Sequence, residues 1–267
     1  MKSFLRWSRH LTLVGSLMLG TLVAGASQVL ALTQEQVIER LRSVPVFTLA
    51  NAEGAPLIAV PTEGEQRNPI ASVFINRQDA QEFLDQLKAR EPQTAEGISV
   101  VPVPLAKIYE YGVSQQEGQE QLRFAFFPDD QQVQEAQTLL QQQSGQNQEF
   151  EGVPLFVARS NGSEGGYLTI EQDNQQVIPM FFDRSELQVL LDRLKQVQPD
   201  LASTVQVQVV NLEGVIQTLQ TSDNQELNRI VLIPPQASRE YIRSLQQNQG
   251  GQGGQNRPQA QPAQPQR

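Results

Sequence analysis

Few side chains in this sequence are of a type that does chemistry, and most of those stand where a helix would begin. The 267 residues include no Cys and a single His, His10. Without thiols there is no disulfide framework, no thiolate nucleophile and no Cys-ligated metal. Because His10 falls in the first 31 residues, the remainder lacks the commonest general base and the commonest transition-metal ligand. Carboxylates are what is left. Asp129-Asp130 sit beside Gln131, and Asp183 precedes Glu186 by three places. Two carboxylates cleave a glycoside when they lie a few ångströms apart in unequal environments. At the head of an amphipathic segment, however, they cap the helix, and this spacing reads that way. Gly162-Ser-Glu-Gly-Gly166 lacks the Lys and Ser/Thr of a phosphate loop and precedes a strand pattern, so it reads as a turn. Lys107 beside Tyr109 reads as a surface strand residue. There is no G-x-S-x-G elbow, Ser-x-x-Lys motif or calcium loop. The sequence thus offers no catalytic, cofactor-binding or metal-binding residue and implies no cofactor.

Aromatic residues are the other conspicuous group. Phe74, Phe124, Phe126, Phe127, Phe156, Phe181 and Phe182 fall in strand patterns, and Tyr109 and Tyr111 alternate as they would on a further strand. Such rings are ordinarily core. Phe126-Phe127 and Phe181-Phe182, however, load both faces of their strands, and a sheet so loaded needs cover on both sides, from helices or from a bound partner.

The elements that place these rings occur twice. Residues 73–88 align without gaps on residues 180–195, with identity at seven of sixteen positions. Each copy runs from an apolar strand into an N-cap, Asn76 or Asp183, with Asp79 or Glu186 three places on, a variant of the capping box. The helices that follow bury Ala80, Phe83, Leu84 and Leu87 in one copy and Leu187, Leu190, Leu191 and Leu194 in the other, at i, i+3, i+4, i+7 spacing. Val44-Pro-Val-Phe47 echoes Val153-Pro-Leu-Phe156, and Phe126-Phe127-Pro128 echoes Leu232-Ile233-Pro234. Each copy then reads as two short strands (44–50 and 56–60; 153–159 and 166–171), a strand and helix, and an extended stretch, closed by a helix. In the second copy that stretch includes Val205, Val207 and Val209, alternating with Gln, and the strand Ile230–Ile233. Asn161-Gly162 supplies a turn with positive φ. Thr33-Gln-Glu-Gln36 predicts a capping box opening a helix to about Ser43. The fold class is α/β (α+β): two pseudo-symmetric halves from an internal duplication, 32–145 and 146–245, packed as one body because each alone buries too little.

Both ends read differently from this body. Lys2, Arg6 and Arg9 precede the apolar run Leu11–Ala24 and two small-residue sites, Ala24-Gly25-Ala26 and Val29-Leu30-Ala31. Residues 1–31 therefore read as a cleavable export signal, too short and too interrupted for a membrane span, with the mature chain starting at Ser27 or Leu32. Residues 246–267 are Gln, Gly, Pro and Asn with little to bury and read as a disordered tail. The net charge of −9 becomes −12 without the three signal cations, 17 basic against 29 acidic residues. That balance disfavours nucleic acid and adsorption to anionic lipid, and no later segment inserts in a membrane.

Val-Pro-Val-Phe, Val-Phe-Ile-Asn-Arg, Val-Pro-Leu-Phe, Met-Phe-Phe-Asp-Arg and Leu-Ile-Pro-Pro together resemble the Tic family of about 22 kilodaltons, the likeness spanning most of residues 33–245. Its members are a soluble component of chloroplast protein import and its cyanobacterial relatives. The bacterial-type signal fits a cyanobacterial version, in the periplasm or alternatively the thylakoid lumen. The resemblance implies a two-half α/β fold with apolar pockets and a chaperone-like, non-enzymatic role. Its partners would be unfolded precursors or outer-membrane barrel proteins, and the outer-membrane translocation and assembly machinery. The resemblance transfers no residue-level site; if binding uses apolar recesses formed by the duplicated strands, the candidates are Phe47, Phe74, Phe156 and Phe181, because they hold equivalent repeat positions. Two other classes of function stay open at this point: a non-catalytic periplasmic interaction module working through the Gln-rich tail, and a hydrolase using carboxylates alone.

Overall fold

In the computed structural model, residues 12–13, 31–61, 68–115, 121–146, 149–161, 165–222 and 224–252 are described. The predicted export signal lies outside them except for Thr12, Leu13 and Ala31, and so do residues 253–267 of the predicted tail.

The first element of the body is α1 (Gln34–Arg42), whose capping box forms in both directions: Thr33 N donates to Gln36 Oε1 at 2.9 Å, and Gln36 N donates to Thr33 Oγ1 at 3.3 Å. The first half then runs through β2 (Pro45–Ala50), β3 (Ile58–Ala59), β4 (Ile70–Phe74), α2 (Arg77–Arg90), β5 (Ser99–Pro104), α3 (Leu105–Ser114), β6 (Arg123–Phe127) and α4 (Asp130–Ser144). Gly145, at φ 70°, ends α4 in the left-handed conformation that glycine adopts most easily. The second half repeats the series as β7 (Pro154–Ser160), β8 (Leu168–Gln172), β9 (Gln175–Phe181), α5 (Arg184–Val197), β10 (Val205–Asn211), α7 (Leu212–Thr221), β11 (Ile230–Ile233) and α8 (Gln236–Gln252), with a one-turn α6 (Pro199–Ala202) inserted. A short strand, β1 (Thr12–Leu13), precedes both.

Pairing follows the duplication. In one sheet β2 pairs antiparallel with β4 and β5, and β6 adds parallel to β4; in the other β7 pairs antiparallel with β9 and β10, and β11 adds parallel to β9. Between β8 and β9 the turn uses Asp173 (φ 50°) and Asn174 (φ 61°), residues that tolerate positive φ; the turn expected at Asn161-Gly162 falls on Gly162, which lies outside the described residues.

Two predicted features are corrected. Tyr109, Tyr111 and Lys107 lie on the helix α3 and not on a strand: Leu105 and Ala106 are buried, Ile108 and Tyr109 half-buried, and Lys107 pairs with Glu110 one turn on at 2.6 Å. A short apolar run with β-prone tyrosines fits either period, and only packing against α1 selects the helix. α8 also continues to Gln252, beyond Gln246 where the tail was expected to start.

The core has three layers. Between the halves, Val37 and Leu41 of α1, Val46, Val73 and Leu105 meet Leu155, Val157, Met180, Phe182, Leu212 and Ile230. On the outer face of the first sheet lie Phe47, Leu49, Phe74, Ala80 and Leu84; on that of the second, Phe156, Phe181, Leu187, Leu190 and Leu194 with Ala136 and Leu139. The closing helices are exchanged: α4 of the first half packs on β7 and β10 of the second, while α8 packs on β2 of the first.

Candidate functional site

Strand register brings the four candidate rings together as two equivalent pairs. Phe47 faces Phe74 across β2 and β4, and Phe156 faces Phe181 across β7 and β9. All four are buried, 0–4% exposed. α2 and α8 roof the first pair, and α5 and α4 roof the second. What the sequence placed as recess lining is, in this fold, a floor beneath helices. From α8, Tyr241 covers Phe47 at 5.9 Å between centroids, and the Arg77 guanidinium lies over the Tyr241 ring at 4.5 Å.

The two halves differ at the outer edge of that floor. In the second half the counterparts of Phe83 and Phe127, Leu190 and Ile233, are buried and half-buried. In the first half the outward ring of the Phe126-Phe127 pair stays in solvent: Phe127 and Phe83 are each 37% exposed. Phe127 stacks on buried Phe74 at 4.8 Å, with an interplanar angle of 19°, and Phe83 stands 5.4 Å from Phe74 and 6.1 Å from Phe127. Three rings thus step from core to surface. The helical period predicted Phe83 as core. Its counterpart in the second copy, Leu190, is buried, and the larger ring in the first instead reaches the rim. The other exposed large apolar side chains among the described residues are Ile58, Val60, Tyr111 and Val113 in the same half and Val189 and Val197 in the second.

The carboxylates singled out by sequence are occupied in holding helices. Asp129 caps α4, accepting from Gln131 N (2.9 Å) and Gln132 N (3.2 Å), and accepts a further bond from Asn76 Nδ2 at 3.0 Å. Asn76 caps α2 through Gln78 N, and Asp183 caps α5 through Ser185 N, both at 2.8 Å. Glu186 does not close a capping box. It turns to α8, accepting from Gln236 N at 2.8 Å and pairing with Arg239, and burial raises its pKa despite that partner. Arg184 pairs in the same way with Glu135 of α4, and its N–H donates to the buried Gln132 Oε1 at 3.0 Å. The Glu135 and Gln132 contacts tie α4 to the second half, while the Glu186 contacts hold α8 to α5 of its own half. Among the described residues no cluster of His, Cys, Asp and Glu has the arrangement of a metal site, and no helix is long and apolar enough to cross a membrane.

Asp79, in the first turn of α2, is the exception to this quiet electrostatics. Burial, then the neighbouring charges of Asp129, Glu82 and Asp130, push its pKa from 3.8 up to about 6. Between those values the folded chain keeps a proton that the unfolded chain has lost. Its stabilising contribution is therefore complete below pH 3.8 and is lost as pH rises through about 6. Asp79→Asn is expected to raise the urea midpoint at pH 7.5 and to leave it unchanged near pH 3.5. Midpoints measured across that range check this, and an equal shift at both ends would contradict the assignment.

The sequence model of the Tic22-like family matches residues 14–247. Protein TIC 22, chloroplastic, of Pisum sativum is 24% identical over 205 residues, covering 76% of this chain and 74% of that protein. Its Arabidopsis thaliana namesake is 27% identical over 217 residues, covering 80% and 72%. Among solved structures, Anabaena Tic22 (protein transport) superposes with a TM-score of 0.71 at 33% identity, covering 80% of this chain and 97% of that one. Tic22 from Plasmodium falciparum shares the fold, at a TM-score of 0.64 and 21% identity, covering 79% and 98%.

Proposed function

Because this chain belongs to the Tic22-like family, we propose that it serves protein transport by holding apolar segments of unfolded polypeptide on the aromatic rim of its first half. The observation that carries this reading is the stack from buried Phe74 to half-exposed Phe127 and Phe83, where the second half has buried Leu190 and half-buried Ile233 in the equivalent places. A rim of this kind gives a client large rings to cover while the core beneath keeps them in fixed orientation, the arrangement that concentrates binding energy in a few residues. The acidic exterior keeps the empty rim soluble. Phe74 is the ring that ties the rim to the core. Phe47, Phe156 and Phe181 contribute to binding only where α8 or α4 lifts. Clients are exported unfolded precursors or outer-membrane barrel proteins, met in the periplasm or the thylakoid lumen after an export signal is removed. None of this uses catalysis.

The double variant Phe83→Ser, Phe127→Ser tests it. Both rings are partly solvated, so the fold should survive, while affinity for a urea-unfolded barrel protein falls about tenfold or more, as for central interface aromatics. Unchanged suppression of that client's aggregation by a folded variant would sink the reading.

A further inference from the structure

Each half has one short outer strand, β3 or β8, and among the described residues only β8 has a strand along its outer edge. In the second half the chain bridges β7 at Arg159–Tyr167, and β8 then pairs with β9 from Ile170–Val177 onward. Between those points Leu168 and Thr169 pair antiparallel with Leu13 and Thr12 of β1. The edge of β8 is thus filled by two residues from the apolar N-terminal run of the same chain. The first half repeats the geometry: Ala50 bridges Pro56, and Ile58 and Ala59 pair with Ala71 and Ile70 of β4. Among the described residues no strand lies on the outer side of β3. Ile58 is 48% and Val60 57% exposed there. Proteins usually blunt such an edge with charge or cover, because its free N–H and C=O groups are a template for another chain. Here Pro56 and Pro61 limit it to four residues: Leu57 is half-buried and donates its N–H to Leu49 O, while Ile58, Ala59 and Val60 are apolar and exposed.

We propose that the outer edge of β3 takes an extended apolar polypeptide segment as an added antiparallel strand, as the edge of β8 takes Thr12–Leu13. This rests on the reading that the chain holds unfolded polypeptide, and it adds the mode of recognition. Main-chain hydrogen bonds along an edge accept many sequences, with specificity left to the alternate side chains. A carrier of varied clients gains from that, whereas side-chain pockets alone would select among them.

The test uses the full chain with residues 1–31 retained, so that Thr12–Leu13 fill the edge of β8 as they would not once the predicted export signal is removed, and a synthetic peptide of residues 10–17 with an added lysine at each end. Hydrogen exchange at residues 57–60 should slow on binding. N-methylating the peptide at the positions of Thr12 and Leu13 removes two main-chain donors and keeps every side chain. Affinity should then fall about tenfold or more. Ile58→Lys with Val60→Lys should weaken binding by a similar factor without unfolding the protein, since both side chains are exposed. Equal binding of the methylated peptide, or no binding of either peptide, would overturn strand addition. So would loss of peptide binding in the Phe83→Ser, Phe127→Ser variant with full binding in the lysine variant, and that outcome would leave the aromatic rim standing. Protection at 57–60 without peptide, together with a doubled mass in solution, would assign the edge to a second copy and also overturn it.

Discussion

Phe156→Ala is expected to lower the stability of the folded chain by about 3–5 kcal/mol, and Phe47→Ala by a similar amount. Each ring is fully buried opposite a second phenylalanine in strand register, so truncation removes apolar burial and leaves a cavity, and at Phe47 it also loses the ring contact with Tyr241. Losses of that size are a large share of the roughly 5–15 kcal/mol that a protein of this kind has in total. Phe83→Ala should cost much less, because the ring is already partly in water. Urea midpoints for the three variants decide the matter. If Phe47→Ala lost no more than Phe83→Ala, Phe47 would not be the roofed floor described above, and a direct binding role for it would return.

A chain ending at Gly145 is expected not to fold. Among the described residues, eleven of the nineteen in the central buried cluster come from the second half, so the first half alone would leave one side of its sheet in water. Its closing helix would lose its site as well. Ala136 and Leu139 of α4 pack with Phe156, Phe181 and Leu187, and Gln143 Nε2 donates to Val207 O at 2.7 Å, all of them residues of the other half. Nor would α8 be present to set Tyr241 over Phe47. Burial this incomplete does not offset the entropy of ordering the chain. The fragment should show collapsed amide dispersion and no cooperative urea transition. A sharp transition with dispersed resonances would show that each half is an independent domain and that helix exchange is incidental.

The duplication was legible in the sequence because repetition of residue types needs no third dimension. Seven identities in sixteen positions, the two Val-Pro-x-Phe segments and the capping residues Asn76, Asp129 and Asp183 marked the duplicated strand–helix units and the starts of α2, α4 and α5, all properties of chain neighbours within a few residues. Local period also placed α1 with its capping box and the strand Val205–Asn211. Tertiary packing decided the rest. Leu105–Ser114 became a helix because α1 offers it an apolar face, and Glu186 left its own cap because Gln236 and Arg239 of α8 arrive beside it. The exchange of α4 and α8 between the halves has no sequence signature, since either helix would satisfy the same apolar stripe on its own sheet. The same holds for the rings. Pattern showed that Phe47, Phe74, Phe156, Phe181, Phe83 and Phe127 face apolar surroundings, but exposure depends on which distant helix covers which sheet. Only the fold left Phe83 and Phe127 at the surface while it closed α2 and α8 over Phe47 and Phe74 and α5 and α4 over Phe156 and Phe181.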